Sequence, residues 1–251
     1  MCGIAGAVGT DESALPAGVL KRLAGLLAHR GPDDVGYLSW SPGSNARVAR
    51  SPDELPPGRV QFVHRRLSIL DLTRAGAQPM STPDGRFHIV FNGEVYNYVE
   101  LRAKLEALGH EFSSRCDTEV LLAACARWGR EALGRLVGMF AFVLLDTRER
   151  KLLLARDFFG IKPLYYARLP GGVAFASEIA AMLAIPGVSR RVAAGPLHDY
   201  LRYGMTDHRD ETLFADIRRL PPAHCMEIDL DNPQAACPPA PPAKGGEQRA
   251  P

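Results

Sequence analysis

The chain has 251 residues, of which 46% are hydrophobic and 23% are charged, as in an ordinary globular protein. Its 30 basic and 28 acidic side chains leave a net charge of +2, which provides no electrostatic basis for a nucleic-acid or anionic-membrane partner. No apolar run approaches the ~20 residues of a membrane span. We therefore expect a protein that binds neither nucleic acid nor membranes.

The five cysteines include no Cys-x-x-Cys pair, and the seven histidines show no metal-ligand spacing. No cationic stretch followed by an apolar segment opens the chain, as a secretory signal would. These patterns disfavour a disulfide framework, a zinc ribbon and secretion. We expect a cytoplasmic protein with no metal site.

The first half of the chain predicts strands and helices in alternation. An apolar N-terminus rich in Gly and Ala indicates a strand that is tied into a sheet. Asn97 and Glu100 are spaced as in a capping box, which opens a helix that ends near Gly109. The buried stripe of this helix is expected to be Leu101, Leu105 and Leu108. The other predicted elements are helices over 15–28 and 118–128 and strands over 60–64 and 87–92.

From residue 137 onward the pattern changes to short strands, over 137–146, 151–157, 163–169 and 172–177. Charged or Gly-containing turns separate these strands, which indicates antiparallel hairpins. Because helices are predicted mainly in the first half and strands in both halves, the pattern favours an α+β domain over a doubly wound parallel sheet.

Residues 231–251 have a different composition, with six prolines and no Leu, Ile, Val or aromatic residue. Such a segment cannot bury enough apolar surface to offset the entropy that is lost on ordering. We therefore predict one folded domain over 2–230 and a Pro- and Ala-rich disordered tail over 231–251.

Cys2 is the strongest candidate for a catalytic residue. If Met1 is removed, Cys2 carries a thiol with an ordinary pKa of ~8.5 and a free α-amino group with an ordinary pKa of ~7.7–8.0. The amine can then accept the thiol proton near neutral pH, so that nucleophile and base belong to one residue. Considered alone, a cysteine here is more often only a small apolar residue.

Nine motifs that occur in one order along the chain reverse that judgement. They are MCGIAG (1–6), HRGPDDVG (29–36), HRRLSILDL (64–72), FNGEVYNY (91–98), CDTEVLL (116–122), GMFAFVLLD (138–146), RDFFGIKPLYY (156–166), ASE (176–178) and IRRLPPAH (217–224). Together they resemble class II glutamine amidotransferases, specifically the N-terminal glutaminase half of bacterial glutamine-hydrolysing asparagine synthetases. The resemblance covers residues 2–230.

The resemblance implies an N-terminal-nucleophile hydrolase fold, a four-layer αββα sandwich with two stacked antiparallel sheets. It also implies that Cys2 attacks the side-chain amide of L-glutamine and releases glutamate and ammonia through a thioester. The oxyanion donors would be the Asn92 side-chain amide and the Gly93 backbone N–H, and a glycine there lets the backbone approach the substrate closely. This half-reaction needs no cofactor, because ATP and Mg²⁺ would serve only a synthetase domain.

Glutamine is a zwitterion, so its pocket must pair a carboxylate and an ammonium separately. The resemblance assigns the α-carboxylate to Arg66, whose guanidinium can offer two parallel N–H donors. It assigns the α-ammonium to Asp117 with help from Glu94. Backbone groups around Leu67 and Ile69 would complete the pocket wall.

Each of these residues has a structural alternative when it is considered alone. The alternatives are an exposed arginine at Arg66, a hairpin turn at Asn92-Gly93 and a helix N-cap at Asp117. Cys116 stands where many relatives have Gly or Ser, which leaves the polarity of the pocket open. Two further matches are expected to be structural, with Arg30 supporting the nucleophile and Asp157 forming a turn.

The sequence contains no Gly-rich phosphate-binding loop, so we expect the synthetase half to be absent from these 251 residues. Three functions are compatible with this. The first is a glutaminase domain that supplies ammonia for asparagine synthetase-like amide formation, with a separate synthetase-domain protein as a candidate partner. The second is a non-catalytic interaction module or truncated remnant. The third is an amidase for another amide, which Arg66 and Asp117 disfavour because together they select a free amino acid.

Overall fold

The computed structural model describes residues 1–11, 15–236 and 238–241. The strands in this part of the chain are β1 (Gly3–Gly9), β2 (Asp34–Trp40), β3 (Arg47–Ala49), β4 (Val60–Arg66), β5 (Met80–Ser81), β6 (Phe87–Val95), β7 (Gly138–Asp146), β8 (Lys151–Arg156), β9 (Tyr165–Leu169), β10 (Gly172–Ala176), β11 (Ile217–Arg219) and β12 (Cys225–Asp229). The α-helices are α1 (Ala17–Leu26), α2 (Tyr98–Ala107), α3 (Asp117–Trp128), α4 (Ile179–Met182) and α5 (Ala194–Tyr203).

The strands form two antiparallel sheets. Sheet I has the order β11-β9-β10-β1-β4-β2-β3, and sheet II has the order β12-β8-β7-β6-β5. β1 is the central strand of sheet I, where Ala5 lies opposite Ala176 of β10 and Val63 of β4. The antiparallel hairpins predicted after residue 137 are confirmed by the β7–β8 and β9–β10 pairs.

Three buried apolar clusters define four layers. The first fills the space between the sheets, where Phe62 and Phe175 of sheet I meet edge to face at a ring-centroid distance of 5.6 Å. Alternate side chains of sheet I point to its other face and pack with Leu20 and Leu23 of α1 and with α4. Sheet II buries its outer face against α2 and α3. The structure is therefore the four-layer αββα sandwich that the resemblance implied.

The predicted helices and strands are present, but two details of α2 were predicted wrongly. Asn97 is the N-cap of α2, yet its side chain makes no capping bond. Its Nδ2 donates to the Arg135 carbonyl and its Oδ1 accepts from the Val137 N–H, both at 2.9 Å, so the capping box is not formed. Leu108 is 53% exposed, because it lies beyond the last residue of the helix.

The two longest strands and helices that were not predicted are β2 and α5. β2 is half of a long ladder with β4, and a glycine in its middle, Gly36, lies opposite His64. α5 contains no buried residue, and its Leu201 and Tyr203 are 74% and 62% exposed. None of the helices in the described ranges is long and apolar enough to cross a membrane.

The segment predicted as a disordered tail begins in contact with the domain. Pro233 and Ala236 are buried, and the Arg168 guanidinium donates to the Ala236 carbonyl at 2.8 Å. Cys225 and Ala240 exchange two backbone hydrogen bonds. The predicted disorder therefore does not apply to residues 231–236 and 238–241. Residue 237 and residues 242–251 lie outside the described residues, and for them the predicted tail stays a prediction.

Candidate active site

Cys2 directly precedes β1 and lies beside the end of β4. Because Gly3 pairs with Arg65, the thiol of Cys2 reaches the residues that follow β4. Its Sγ accepts a hydrogen bond from the Leu67 backbone N–H at 3.4 Å, and it lies 3.7 Å from the Leu67 carbonyl, to which the thiol can donate. The candidate nucleophile is thus positioned by backbone groups.

Arg30 anchors the backbone of Cys2. Its Nε donates to the Cys2 carbonyl at 2.9 Å, and its Nη1 donates to Oε1 of Glu178 at 2.9 Å. The guanidinium is buried, and its Nη2 also lies 3.8 Å from Sδ of Met1. Arg30 thus lies beside Cys2, as predicted, and its role in supporting a nucleophile stays a prediction. Glu178, in the ASE motif, had no predicted role.

The environment of Cys2 makes its thiol hard to ionise. Burial raises the pKa of the thiol above its ordinary value. The Leu67 N–H, the N-terminal ammonium and Arg66 act in the opposite direction without reversing the shift. In this chain Met1 precedes Cys2, so the nitrogen of Cys2 is a peptide nitrogen and cannot accept a proton. A base on Cys2 itself, its free α-amine, would exist only after release of Met1.

All eight residues predicted for the site line one cavity of about 300 Å³. They are Cys2, Arg66, Leu67, Ile69, Asn92, Gly93, Glu94 and Asp117. The volume lies at the small end for ligand pockets, which suits a molecule of amino-acid size. Within the described residues, no three His, Cys, Asp or Glu side chains are grouped so that they could hold a metal ion.

Asn92 and Gly93 lie inside β6, opposite Ala141 and Phe140 of β7, so the hairpin-turn alternative is wrong. Asn92 is fully buried, and neither Nδ2 nor Oδ1 of its amide has a hydrogen-bond partner among the described residues. Buried polar atoms are nearly always paired, and an unpaired amide costs free energy in the folded state. An unpaired buried amide on a cavity wall points to a polar ligand atom.

Gly93 is required by the packing of the two strands. A Cβ at this position would lie 2.3 Å from the Met139 carbonyl oxygen and 2.7 Å from the Phe140 Cα. Any side chain would therefore push β6 away from β7. Glycine is thus required at position 93 by the close contact between β6 and β7, whether or not a substrate also approaches this backbone.

Arg66 is 7% exposed, so the exposed-arginine alternative is wrong. Its Nη1 donates to the Thr73 carbonyl at 2.9 Å, and its Nη2 donates to the Asp71 carbonyl. These bonds hold the loop that follows β4 and carries Ile69 to the cavity. A guanidinium has more N–H donors than these two bonds use, so Arg66 can also bind a ligand carboxylate.

Asp117 is the first residue of α3 and Cys116 is the N-cap, so the N-cap alternative for Asp117 is wrong. The Asp117 side chain is buried, and its Oδ2 accepts a hydrogen bond from the Val95 N–H at 2.9 Å. Burial raises the pKa of the Asp117 carboxyl, and the nearby Glu94 carboxylate raises it further. A cationic ligand group would offset both effects.

Several cavity residues were not found from the sequence. Gln78, Thr118 and Lys162 line the cavity, and all three are buried. Lys162 follows the turn predicted at Asp157, and this turn is confirmed, because the Asp157 carboxylate accepts backbone hydrogen bonds from Phe140, Phe159, Ile161 and Lys162. Lys162 lies in the quoted motif RDFFGIKPLYY and Thr118 in the quoted motif CDTEVLL, so both had a sequence signal, whereas Gln78 lies outside the quoted motifs.

His64 on β4 gives the site a pH-dependent stability. It is fully buried, its Nε2 lies 3.0 Å from the Phe91 carbonyl, and burial lowers its pKa from 6.5 to about 4. The His64 side chain takes up a proton near pH 6.5 in the unfolded chain but not in the folded chain. Its contribution to the free energy of unfolding is therefore fully present above pH 6.5 and is lost as the pH falls towards 4. We expect the free energy of unfolding to fall by up to about 3 kcal/mol from this group.

Urea unfolding between pH 4 and pH 7 measures this effect. His64→Gln is the matched variant, since its amide can donate to the Phe91 carbonyl but does not titrate. The wild type should lose more stability than His64→Gln over this range. Equal slopes for the two proteins would show that His64 is not responsible.

The family model described as a glutamine amidotransferase domain matches residues 1–236. This chain belongs to that family. The match spans both sheets and every residue of the cavity wall described above. The glutamine amidotransferase domain thus includes residues 231–236, which were predicted to belong to a tail.

Among curated proteins, glutamine-hydrolyzing asparagine synthetase 1 of Bacillus subtilis is 37% identical to this amidotransferase domain over 234 residues, which is 92% of this chain and 34% of that protein. A putative glutamine-hydrolyzing asparagine synthetase of Mycobacterium tuberculosis is 40% identical over 237 residues, with 88% of this chain and 34% of that protein covered. The chain spans about a third of the length of these relatives.

Solved structures show the same fold at low identity. The glutamine phosphoribosylpyrophosphate amidotransferase of Bacillus subtilis matches with a TM-score of 0.70 at 18% identity, covering 97% of this chain and 50% of that chain. A protein described as a glutamine aminotransferase class-II domain protein, from Silicibacter pomeroyi, matches with a TM-score of 0.54 at 13% identity, covering 96% of this chain and 99% of that chain. These likenesses concern the fold alone.

Proposed function

We propose that this amidotransferase domain hydrolyses L-glutamine to L-glutamate and ammonia through a thioester on Cys2. The observation that carries the proposal is one cavity in which the Cys2 thiol, the unpaired Asn92 amide, the Arg66 guanidinium and the buried Asp117 carboxylate meet. These groups are a nucleophile, an oxyanion donor and the two ionic partners that a free amino acid requires.

The reaction begins when release of Met1 turns the nitrogen of Cys2 into a free amine. This amine accepts the thiol proton, Sγ bonds to the side-chain carbonyl carbon of glutamine, and the carbonyl oxygen becomes an oxyanion. Nδ2 of Asn92 and the N–H of Gly93 donate to that oxyanion. The Cys2 ammonium then protonates the leaving nitrogen, ammonia departs, and a thioester remains. Water adds to the thioester with the same amine as base, which releases glutamate and restores the thiol.

The ionic ends of glutamine are recognised on the cavity wall. Arg66 pairs with the α-carboxylate while its bonds to the loop hold the guanidinium in place. Asp117, with Glu94 beside it, pairs with the α-ammonium. Backbone groups of Leu67 and Ile69 close the wall between them, and the Leu67 N–H stabilises the thiolate of Cys2.

The test is an ammonia-release assay on purified protein whose N-terminus has been established by intact-mass measurement. Protein that lacks Met1 should hydrolyse glutamine. The matched control carries an uncleaved N-terminal extension, so that its Cys2 nitrogen stays a peptide nitrogen, and it should be inactive. Processed protein that releases no ammonia would contradict the proposal and favour the non-catalytic interaction module.

Asp117→Asn is expected to raise the KM for glutamine about 10- to 100-fold, because a hydrogen bond to a charged group is worth about 1.5–3 kcal/mol. The kcat should change far less, since Asp117 touches the α-ammonium and not the reacting carbonyl. The asparagine carbonyl can still accept the Val95 N–H, so the fold should be retained.

The pH dependence of KM distinguishes this role. Since burial raises the pKa of Asp117, the wild-type carboxylate is neutralised as pH falls through that raised pKa, and KM should rise. Asp117→Asn should show a high KM that does not depend on this titration. If KM rises equally at low pH in the wild type and in Asp117→Asn, Asp117 does not bind the α-ammonium. Equal turnover of an amide without an α-amino group would favour the amidase alternative.

We further propose that the ammonia serves asparagine synthetase-like amide formation, either elsewhere in a longer chain or in a separate synthetase-domain protein. The amidotransferase domain needs no cofactor for its own step, and ATP and Mg²⁺ would bind at that second site. α5 has an exposed apolar face that includes Leu201 and Tyr203. Because a 10-residue helix is marginal in water without packing, this face supports the proposal that another protein surface packs against α5. A reducing cytoplasm would keep the Cys2 thiol active.

The transfer step is tested by adding a synthetase-domain protein and measuring glutamine-dependent amide product. Leu201→Asp should lower product formation while the glutaminase rate of the isolated chain stays unchanged. If Leu201→Asp leaves product formation unchanged, α5 is not the contact surface. If the wild type gives no product with ATP and Mg²⁺ present although it releases ammonia, that protein is not the acceptor.

A further inference from the structure

The backbone of Phe91, the residue before Asn92, is held by two buried side chains. β5 pairs with β6 only as far as Met80 opposite Ile89, so at Phe91 the edge of β6 has no strand beside it. There the Phe91 N–H donates to Oε1 of Gln78 at 2.6 Å, and Nε2 of His64 lies 3.0 Å from the Phe91 carbonyl. Side chains therefore replace a missing strand next to the candidate oxyanion donors.

The other end of the Gln78 amide reaches the first turn of α3. Its Nε2 donates to Oγ1 of Thr118 at 3.4 Å, and Thr118 follows Asp117 in the first turn of α3. Gln78 is 6% exposed and lines the cavity itself. One side chain thus connects the residue before Asn92 with the residue after Asp117.

The backbone of Gln78 is fixed in turn by β2. A Cβ on Gly36 would lie 2.1 Å from the Gln78 carbonyl oxygen and 3.0 Å from Cδ of Pro79. The segment that carries Gln78 therefore packs directly on β2 at a place that admits only glycine. This contact accounts for the last glycine of the HRGPDDVG motif, and it means that the Gln78 side chain starts from a rigid base.

We propose that Gln78 is a positioning residue that sets the distance between the oxyanion side of the cavity, at Asn92, and the ammonium side, at Asp117. The proposal rests on the proposed function. A glutamine molecule joins its amide to its α-ammonium by a short chain, so both ends fit only if Asn92 and Asp117 keep their spacing. A misplacement of about 1 Å in an active site can cost roughly 10²-fold in rate.

The experiment compares two alkylating reagents on Cys2, with the rates read by mass spectrometry of the N-terminal peptide. One is the diazoketone analogue of L-glutamine, which has a diazomethyl ketone in place of the amide and forms an S–C bond with loss of N₂. It carries the same α-carboxylate and α-ammonium as glutamine. The other is iodoacetamide, which has neither group. The ratio of the two rates reports how well the amino-acid end and the thiol are aligned.

Thr118→Val removes only the Gln78–Thr118 bond and keeps the shape of the side chain, whereas Thr118→Ser keeps the hydroxyl. We expect Thr118→Val to lower the rate ratio about tenfold and Thr118→Ser to leave it close to the wild-type value. Gln78→Met, which removes both bonds, should lower the ratio further, by up to roughly 10²-fold. Iodoacetamide alone should label Cys2 at similar rates in all of these proteins.

The outcomes separate this proposal from the proposed function. An unchanged ratio in folded Thr118→Val would overturn the positioning role, whatever Gln78→Met does. A wild type that shows no preference for the glutamine analogue would overturn it as well, since no alignment would then exist. A lowered ratio in Thr118→Val, together with a wild type that does not hydrolyse glutamine, would support the positioning role and reject the proposed function.

Discussion

Cys2→Ala is expected to abolish glutamine hydrolysis, with a loss of roughly 10⁴-fold or more, because removal of a covalent nucleophile has effects of this order in hydrolases. Alanine keeps the α-amine that Met1 release would expose, so the variant removes the nucleophile and leaves the proposed base. Cys2→Ser keeps a nucleophile, but its hydroxyl is less acidic than a thiol, and its rate should also lie far below that of the wild type. The initial rate of ammonia release from glutamine measures both.

Cys125→Ala is the matched control for loss of a thiol. Cys125 is buried in α3, packs in the cluster beneath sheet II and does not line the site cavity. Burial raises the pKa of its thiol to about 12, so it stays protonated near neutral pH. Cys125→Ala should retain the wild-type rate per folded molecule. Full activity of Cys2→Ala, or loss of activity in Cys125→Ala alone, would place the nucleophile elsewhere.

Asn92→Ala is expected to lower kcat about 10²- to 10³-fold with little change in KM, as for the loss of one oxyanion donor in other enzymes. The same variant should not lower the melting temperature. Each unpaired buried polar group costs about 1–3 kcal/mol, and alanine removes both unpaired atoms of the Asn92 amide. Activity and stability should therefore change in different directions, or stability should stay constant. Steady-state kinetics and thermal unfolding on one preparation measure the two effects.

Asn97→Ala is the matched asparagine control. The Asn97 amide has both of its atoms paired, with the Arg135 carbonyl and the Val137 N–H, and it does not line the site cavity. Its removal should lower the free energy of unfolding by about 1 kcal/mol and leave kcat unchanged. If Asn92→Ala is as destabilising as Asn97→Ala and keeps its activity, the unpaired amide of Asn92 has no catalytic use.

The strands and helices that could be predicted have strong local signals. β7 and β8 are apolar runs ended by charged turns, and α3 has a glycine directly after its last residue. The failures occur where a local pattern competes with a distant contact. Asn97 has the sequence of a capping box, but its amide is taken by the chain near Arg135, some forty residues away. β2 was not predicted, because its place in sheet I is decided by its pairing with β4, which is distant in the sequence. α5 was not predicted either, and it has no buried residue.

The residues of the site divide in the same way. Cys2, Arg66, Asn92 and Asp117 were found because short motifs preserve the chemical groups themselves. Gln78 was not found, because nothing in its local sequence shows that its amide meets Phe91 and Thr118 at once. The Arg30–Glu178 pair was likewise hidden, since 148 positions separate the two residues.

The kinds of reactive group and the local periodicities are properties of the chain, and they were readable before folding was considered. The meeting of these groups in one cavity, in contrast, cannot be predicted from any local stretch of sequence. One cavity contains Cys2 from the start of β1, Arg66 from β4, Asn92 from β6 and Asp117 from α3. They meet there only because the two sheets stack and α3 covers sheet II. Burial then raises the pKa of Asp117 and leaves Asn92 unpaired, and both effects depend on what packs around each group. The tertiary structure thus decided the electrostatics and the spacing, because both are set by neighbours that lie far away in the sequence.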